Sequence, residues 1–204
     1  MRRIAAVMLA AGASRRMGVN KLLLEIGGEP MARRVASLCL RAGLAPVIAV
    51  LGHEAERAEG MLAGLEVQCI RNKNHASGMA SSLTAGLAAL PGGIDGALVF
   101  LADMPFVALQ DVRALCAAFA PAQGRVICIP AHGGRRGNPV LLGRQCFAAL
   151  AGLAGDGGAR RYIQKNPDIV CEVPAGPGVL ADIDTPEAYA AFSAGRQTSR
   201  HPPE

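Results

Sequence analysis

Short uninterrupted apolar runs alternate along the chain with segments whose apolar residues recur every three or four positions. Ile4 to Leu9, Val47 to Leu51, Val67 to Ile70, Ala97 to Leu101 and Val126 to Ile129 have strand length and, apart from Gln68, are apolar on both faces. Between them, Met31, Val35, Leu38 and Cys39 fall on one helical face behind Pro30, with Gly43 as the stop. Glu54 to Leu62 reads as a second helix. Gly78 to Leu90 carries Met79, Leu83, Leu87 and Leu90 on one face and ends at Pro91-Gly92, and Leu109 to Phe119 is a fourth helix. Strands apolar on both faces and separated by helices predict an α/β domain, a mostly parallel sheet covered by helices on each side. Right-handed crossovers then gather the loops that follow the strands along one edge, where ligands of such sheets bind.

Beyond about residue 130 the pattern loosens. Gly133-Gly134-Arg135-Arg136-Gly137-Asn138-Pro139 reads as a flexible basic loop. Gly155 to Arg160 opens another helix, and Asp182-Ile183-Asp184-Thr185-Pro186 follows a short apolar strand and starts the last one. With no internal repeat or linker, one domain is expected over residues 1–194, and the polar, Pro-rich stretch 195–204 reads as a disordered tail.

Composition narrows the classes. The 204 residues are 51% hydrophobic and 18% charged, which suits a folded domain. The six cysteines form no C-x-x-C pair and mostly sit in apolar runs, so they read as buried small residues in a reducing cytosol. The N-terminal apolar run is too short for a signal peptide and no run has membrane-span length, so a cytoplasmic protein is expected. The net charge is +5, which nucleic acid, an anionic membrane surface or a phosphorylated small ligand could each explain, as could a solvated surface. The Arg residues are dispersed and aromatics number five Phe and two Tyr, which argues against nucleic acid.

The segment from Leu9 to Lys21 carries the most chemistry. Ala10, Ala11 and Gly12 are small enough for backbone N–H groups to approach an anion. Ser14 adds a hydroxyl, and Arg16 and Lys21 add cations, a set suited to a polyphosphate. Neither the dinucleotide fingerprint nor the phosphate-binding Gly-Lys-Ser/Thr ending is present, and a Gly-rich turn with exposed basic residues is the plainer alternative.

Leu9-Ala10-Ala11-Gly12-x-Ser14-x-Arg16-Met17-Gly18-x-x-Lys21 resembles the signature of the nucleotidyltransferases related to molybdenum cofactor cytidylyltransferase. Further segments agree in order: Ser77 to Leu83, Asp103-Met104-Pro105, Arg136 to Leu141, Gly155 to Arg160 and Asp182 to Pro186, so the resemblance covers roughly residues 4–193. It implies a three-layer Rossmann-like domain of the nucleotide-diphospho-sugar transferase type. It also implies that Leu9, Ala10, Ala11, Gly12, Ser14, Arg16, Lys21, Ser81 and Ser82 hold a nucleoside triphosphate, with Arg16, Lys21 and Asp103 as the catalytic groups. Arg136, Asn138 and Asp156 would face the acceptor.

Nucleotidyl transfer loads charge onto the departing pyrophosphate, so Mg2+ held by carboxylates and phosphate oxygens suits it. Asp103 and Asp182 are the first choices as metal ligands. Asp184 is a further candidate, which could instead cap the last helix. Relatives with Leu-Ala-Gly-Gly at the first loop use GTP. The methyl of Ala11 and the Asp-Ile-Asp-Thr-Pro form of the late motif therefore imply CTP, with molybdenum-loaded molybdopterin as acceptor and a molybdenum hydroxylase as recipient of the product. Competing readings are a nucleotidyltransferase with GTP or another phosphorylated acceptor, and a non-catalytic cofactor carrier. No exposed apolar stripe is evident in the sequence, and a monomer is expected.

Overall fold

Strands β1 (Ile4–Ala10), β2 (Val47–Leu51), β3 (Val67–Arg71) and β4 (Gly96–Leu101) are the apolar runs anticipated above. They run parallel in the order β3-β2-β1-β4. Strands β5 (Ile127–His132), β6 (Arg135–Arg136), β7 (Val140–Gly143) and β8 (Val170–Pro174) complete one sheet. β7 lies antiparallel between β4 and β5, and β8 pairs parallel with β5. The computed structural model describes residues 2–12, 17, 20–155 and 157–194; Ser14, Arg16, Asp156 and the stretch 195–204 lie outside the described residues.

The helices are α1 (Met31–Arg41), α2 (Ala55–Leu62), α3 (Met79–Ala88), α4 (Leu109–Ala118), α5 (Phe147–Ala151), α6 (Arg160–Lys165) and α7 (Pro186–Ala194). Successive strand residues point to opposite faces, and both faces are buried. Ala6, Met8, Ala49, Leu51, Leu98 and Phe100 pack with Val35 and Leu38 of α1, Leu62 of α2 and Leu115 of α4. Val7, Ile48, Val50 and Val99 pack on the other face with Leu83 of α3, Leu150 of α5 and Ile163 of α6. This is the three-layer, mostly parallel α/β domain that the sequence implies.

The last third departs from expectation in three places. The basic segment at 133–139 is a hairpin, not an open loop: Gly133 (φ 55°) and Gly134 (φ 75°) form a two-residue turn between β5 and β6. The stretch before Asp182 is a single 3-10 turn, Pro177–Leu180, and the strand lies earlier, at β8. β7 was not anticipated as a strand, because four apolar residues are too short a run to separate strand from helix. The cysteines are all free, and burial pushes the Cys128 thiol up to about 12, which makes it an inert apolar residue. No described helix is long and apolar enough to cross a membrane.

The segment from Ala175 to Ile183 is a strap that crosses the ligand edge of the sheet. A Cβ on Gly178 would stand 2.0 Å from the Phe106 carbonyl oxygen, and one on Gly137 would stand 2.2 Å from that of Val179. Asn138 N–H donates to the Val179 carbonyl at 2.9 Å, and Ile183 N–H donates to that of Asp103 at 3.0 Å. Backbone lies on backbone here, so no side chain can be inserted without moving the strap. Gly178→Ala is expected to lose at least about 1–3 kcal/mol of stability in urea unfolding. Gly60→Ala, in open space on α2, should instead gain about 0.5–1 kcal/mol. Equal midpoints for the two variants would contradict this packing.

Candidate active site

β1 and β4 end side by side. Leu9 pairs with Leu101, and Ala102 N–H donates to the Leu9 carbonyl at 3.1 Å. The two chain segments that leave the sheet there carry Ala11-Gly12 and Asp103. Ala10 is 2% exposed and packs in the core, so only its backbone can meet a ligand.

Lys21 reaches the same edge from a 3-10 turn, Lys21–Leu23, that is fixed at both ends. Asn20 Oδ1 caps it by accepting the Leu22 N–H at 3.2 Å, and Leu22 is buried. The Lys21 Nζ donates to Asp103 Oδ2 at 2.5 Å and to Asp184 Oδ1. Its side chain is 13% exposed, against 18% for Asp103 and 28% for Asp184. Burial alone would lower the Lys21 pKa; the charge and hydrogen bond of Asp103, then those of Asp184, outweigh it and hold it above its ordinary 10.5. Lys21 is therefore a cation at any physiological pH.

Asp184 arrives through the buried Ile183, which packs on Ile26 and Met31 and whose N–H is bonded to the Asp103 carbonyl. The cap of α7 is Thr185, whose hydroxyl accepts the Ala188 N–H at 3.2 Å, so Asp184 does not fill the capping role considered for it. Asp182 is exposed and makes no ion pair with a described residue. Of the three candidate carboxylates, the structure brings Asp103 and Asp184 together on Lys21, while Asp182 stands apart on the other side of Ile183 in the chain. Asp103 Oδ1 is buried without a hydrogen-bond partner, a costly state for a carboxylate oxygen and one that a bound cation would relieve. Two carboxylates with such an oxygen suit a hard cation such as Mg2+.

A second wall comes from the chain after β3. Asn72 is 8% exposed; its Nδ2 donates to Ser81 Oγ at 2.9 Å and to Ser82 Oγ at 3.0 Å, and its Oδ1 accepts the Asn74 N–H at 2.9 Å. Ser82 is buried, and the Ser81 hydroxyl is engaged with Asn72, Asn74 and Gly78. Both serines anticipated as ligand donors accept a hydrogen bond from Asn72 in this structure. Asn72 escaped the sequence reading, although it stands just past an apolar strand at the ligand edge, as Asp103 does. Gly52, after β2, leaves the space that Ala11 uses: a Cβ at residue 52 would meet Ala11 Cβ at 2.8 Å and His75 Cβ at 2.7 Å. A cavity of about 590 Å³ opens there, lined by Gly52, Asn72, Lys73 and His75.

On the other side of β1, a cavity of about 800 Å³ has an apolar floor of Leu9, Leu83 and Leu101 and a polar rim of Arg136, Asn138 and Arg160. Leu9, anticipated with the nucleotide-binding residues, lines this cavity together with Arg136 and Asn138. Arg136 Nε is bonded to Glu172 at 2.7 Å, which aims its guanidinium along the rim.

A model of the MobA-like NTP transferase domain matches residues 6–170. The chain belongs to this family. Among relatives of this MobA-like chain, the purine catabolism protein PucB of Bacillus subtilis is 32% identical over 90% of this chain and 92% of its own. Nicotine blue oxidoreductase of Paenarthrobacter nicotinovorans is 32% identical over 82% and 84%. A probable molybdenum cofactor guanylyltransferase of Pelotomaculum thermopropionicum is 36% identical over 62% and 57%. In three dimensions, a nucleotidyl transferase from Methanothermobacter superposes with a TM-score of 0.84 at 26% identity, over 98% of this chain and all of that one. The MobA-like chain is accordingly a nucleotidyltransferase.

Lys21→Met would remove the ammonium that Asp103 and Asp184 share. We expect a loss of about 1–3 kcal/mol in urea unfolding at neutral pH. Because the Lys21 pKa is raised on folding, its contribution is complete below the unfolded value of 10.5 and fades only as the pH passes the higher folded value. A difference between wild type and variant that shrank as the pH fell towards neutral would contradict the ion pairs.

Proposed function

We propose that the protein transfers CMP from CTP to molybdenum-loaded molybdopterin, releasing pyrophosphate and forming the cytosine dinucleotide of the cofactor. The observation that carries this reading is the meeting of Asp103, which follows the end of β4, with Lys21 and Asp184, at a sheet edge where one cavity lies past the ends of β2 and β3 and a second has Leu9 and Leu101 in its lining. Asp103 and Asp184 would hold Mg2+, which when bound supplies positive charge against the triphosphate oxygens. An oxygen of the acceptor phosphate attacks the α-phosphorus. The bond from that phosphorus to the bridging oxygen breaks, and pyrophosphate leaves with the electron pair. Lys21 adds a fixed cation next to the charge that develops, and no protein nucleophile is required. Arg16 and Ser14, in the same loop, extend the triphosphate site in this reading.

Arg136 and Asn138 supply a cation and an amide at the rim of the larger cavity, with an apolar floor for a ring system; Asp156, outside the described residues, would be the third acceptor-side group in this reading. CTP rather than GTP follows from Ala11, whose methyl fills the space above Gly52 and narrows the room for a purine; one methyl discriminates by about 1–3 kcal/mol. The relative named a guanylyltransferase favours GTP as the second reading. Direct hand-over of the product to a molybdenum hydroxylase completes the proposal.

Pyrophosphate release with Mg2+ and molybdenum-loaded molybdopterin, compared across CTP, GTP, ATP and UTP, tests it. Release with CTP alone is the expected result, and Ala11→Gly should raise the GTP rate relative to CTP. Lys21→Ala and Asp103→Ala should each lower turnover by about a hundredfold or more. Release with GTP alone would transfer the proposal to the guanylyl reaction. No release with any triphosphate, despite CTP binding, would mean a different acceptor, and no binding would favour a carrier.

A further inference from the structure

We infer that Asn72 is the positioning residue for the wall between the two cavities, acting through the start of α3 on nucleotide affinity; this rests on the nucleotidyl-transfer reading above. A single primary amide here uses both N–H donors and its oxygen within the protein, on Ser81, Ser82 and the Asn74 N–H. Its own backbone N–H donates to the Leu51 carbonyl at 2.8 Å, which fastens it to the end of β2. Asn72 therefore joins three pieces: the ends of β2 and β3, the turn at 72–74, and the first turn of α3.

α3 needs such a support. Its N-cap is Gly78, at φ 105°, which has no side chain with which to cap the first turn. The hydroxyls of Ser81 and Ser82, held from below by Asn72, fix that turn instead. The segment so fixed contributes to both sites: Asn72, Lys73 and His75 line the smaller cavity, and Met79 and Leu83 line the larger. Ala80 N–H also donates to the Gly155 carbonyl at 3.0 Å, so the start of α3 in turn holds the loop that carries Gly157 and Gly158 to the larger cavity. Asn72 lines the smaller cavity but is only 8% exposed, and both N–H donors of its amide are engaged on Ser81 and Ser82, so its effect passes through this wall.

Removing the amide loosens the wall without removing a group that touches the reacting atoms. Such a change weakens binding in ground and transition state alike, and it appears in KM rather than kcat. Asn72→Ala is expected to raise KM for CTP about tenfold with kcat within about threefold of wild type. Ser82→Ala, which keeps Asn72 and deletes one of its partners, should raise KM about threefold, and the double variant should be no worse than Asn72→Ala alone. Ser82→Ala keeps the test alive if Asn72→Ala fails to fold. A merely structural role would lower the melting temperature and the active fraction while leaving KM at the wild-type value, and that result in both single variants would overturn the inference. If wild type turns over no triphosphate, the nucleotidyl-transfer reading itself fails. Calorimetric titration of CTP into wild type and Ser82→Ala then decides: weaker binding by the variant sustains the inference, and equal affinity or no binding by either protein overturns it.

Discussion

One ammonium group, on Lys21, holds together carboxylates that are far apart in the chain. Asp103 leaves the end of β4, and Asp184 arrives at the far end of the strap. Two carboxylates brought this close repel each other, and the repulsion is strong where water is scarce. A cation between them makes the arrangement stable, and the arrangement requires every element that delivers its parts: the register of β1 with β4, the capped turn at Asn20, and the inward-facing Ile183. The same geometry leaves Asp103 Oδ1 buried without a hydrogen bond among the described residues.

The strap explains how acceptor and nucleotide sides remain in register. It touches Phe106 next to the strand end that carries Asp103, and it touches Gly137 in the segment that carries Arg136 and Asn138. Both contacts are between backbones, and such contacts tolerate little slippage. The relative placement of Asp184 and the segment of Arg136 and Asn138 therefore depends on two close glycine contacts together with the packing of Ile183.

β1, β2 and β4 were legible because a strand buried on both faces has no polar positions to confuse its reading, whereas β3 carries exposed Gln68 and Arg71. Each of the first four strands lies within a residue or two of its apolar run. β7 and β8 were not legible, since β7 has four residues and β8 interleaves exposed Glu172 with its apolar positions. At the site, Lys21 and Asp103 could be read from position alone. The arrangement of Asp182 and Asp184 could not, because alternation places both on one side of an extended segment, and only the three-dimensional contact of Asp184 with Lys21 distinguishes them. Ser81 and Ser82 looked like donors to a ligand; the partner that occupies them, Asn72, is nine and ten residues away and carries no spacing signal.

The central claim is that Asp103 and Asp184, with Lys21 between them, form the cation-dependent centre of the nucleotide site. Electron paramagnetic resonance of Mn2+ titrated into the protein with CTP present tests it most directly. The account predicts a bound Mn2+ signal in wild type and in Asp182→Ala, with affinity at least about tenfold weaker in Asp103→Ala and in Asp184→Ala. Undiminished Mn2+ binding in Asp184→Ala, or loss of it in Asp182→Ala, would contradict the account.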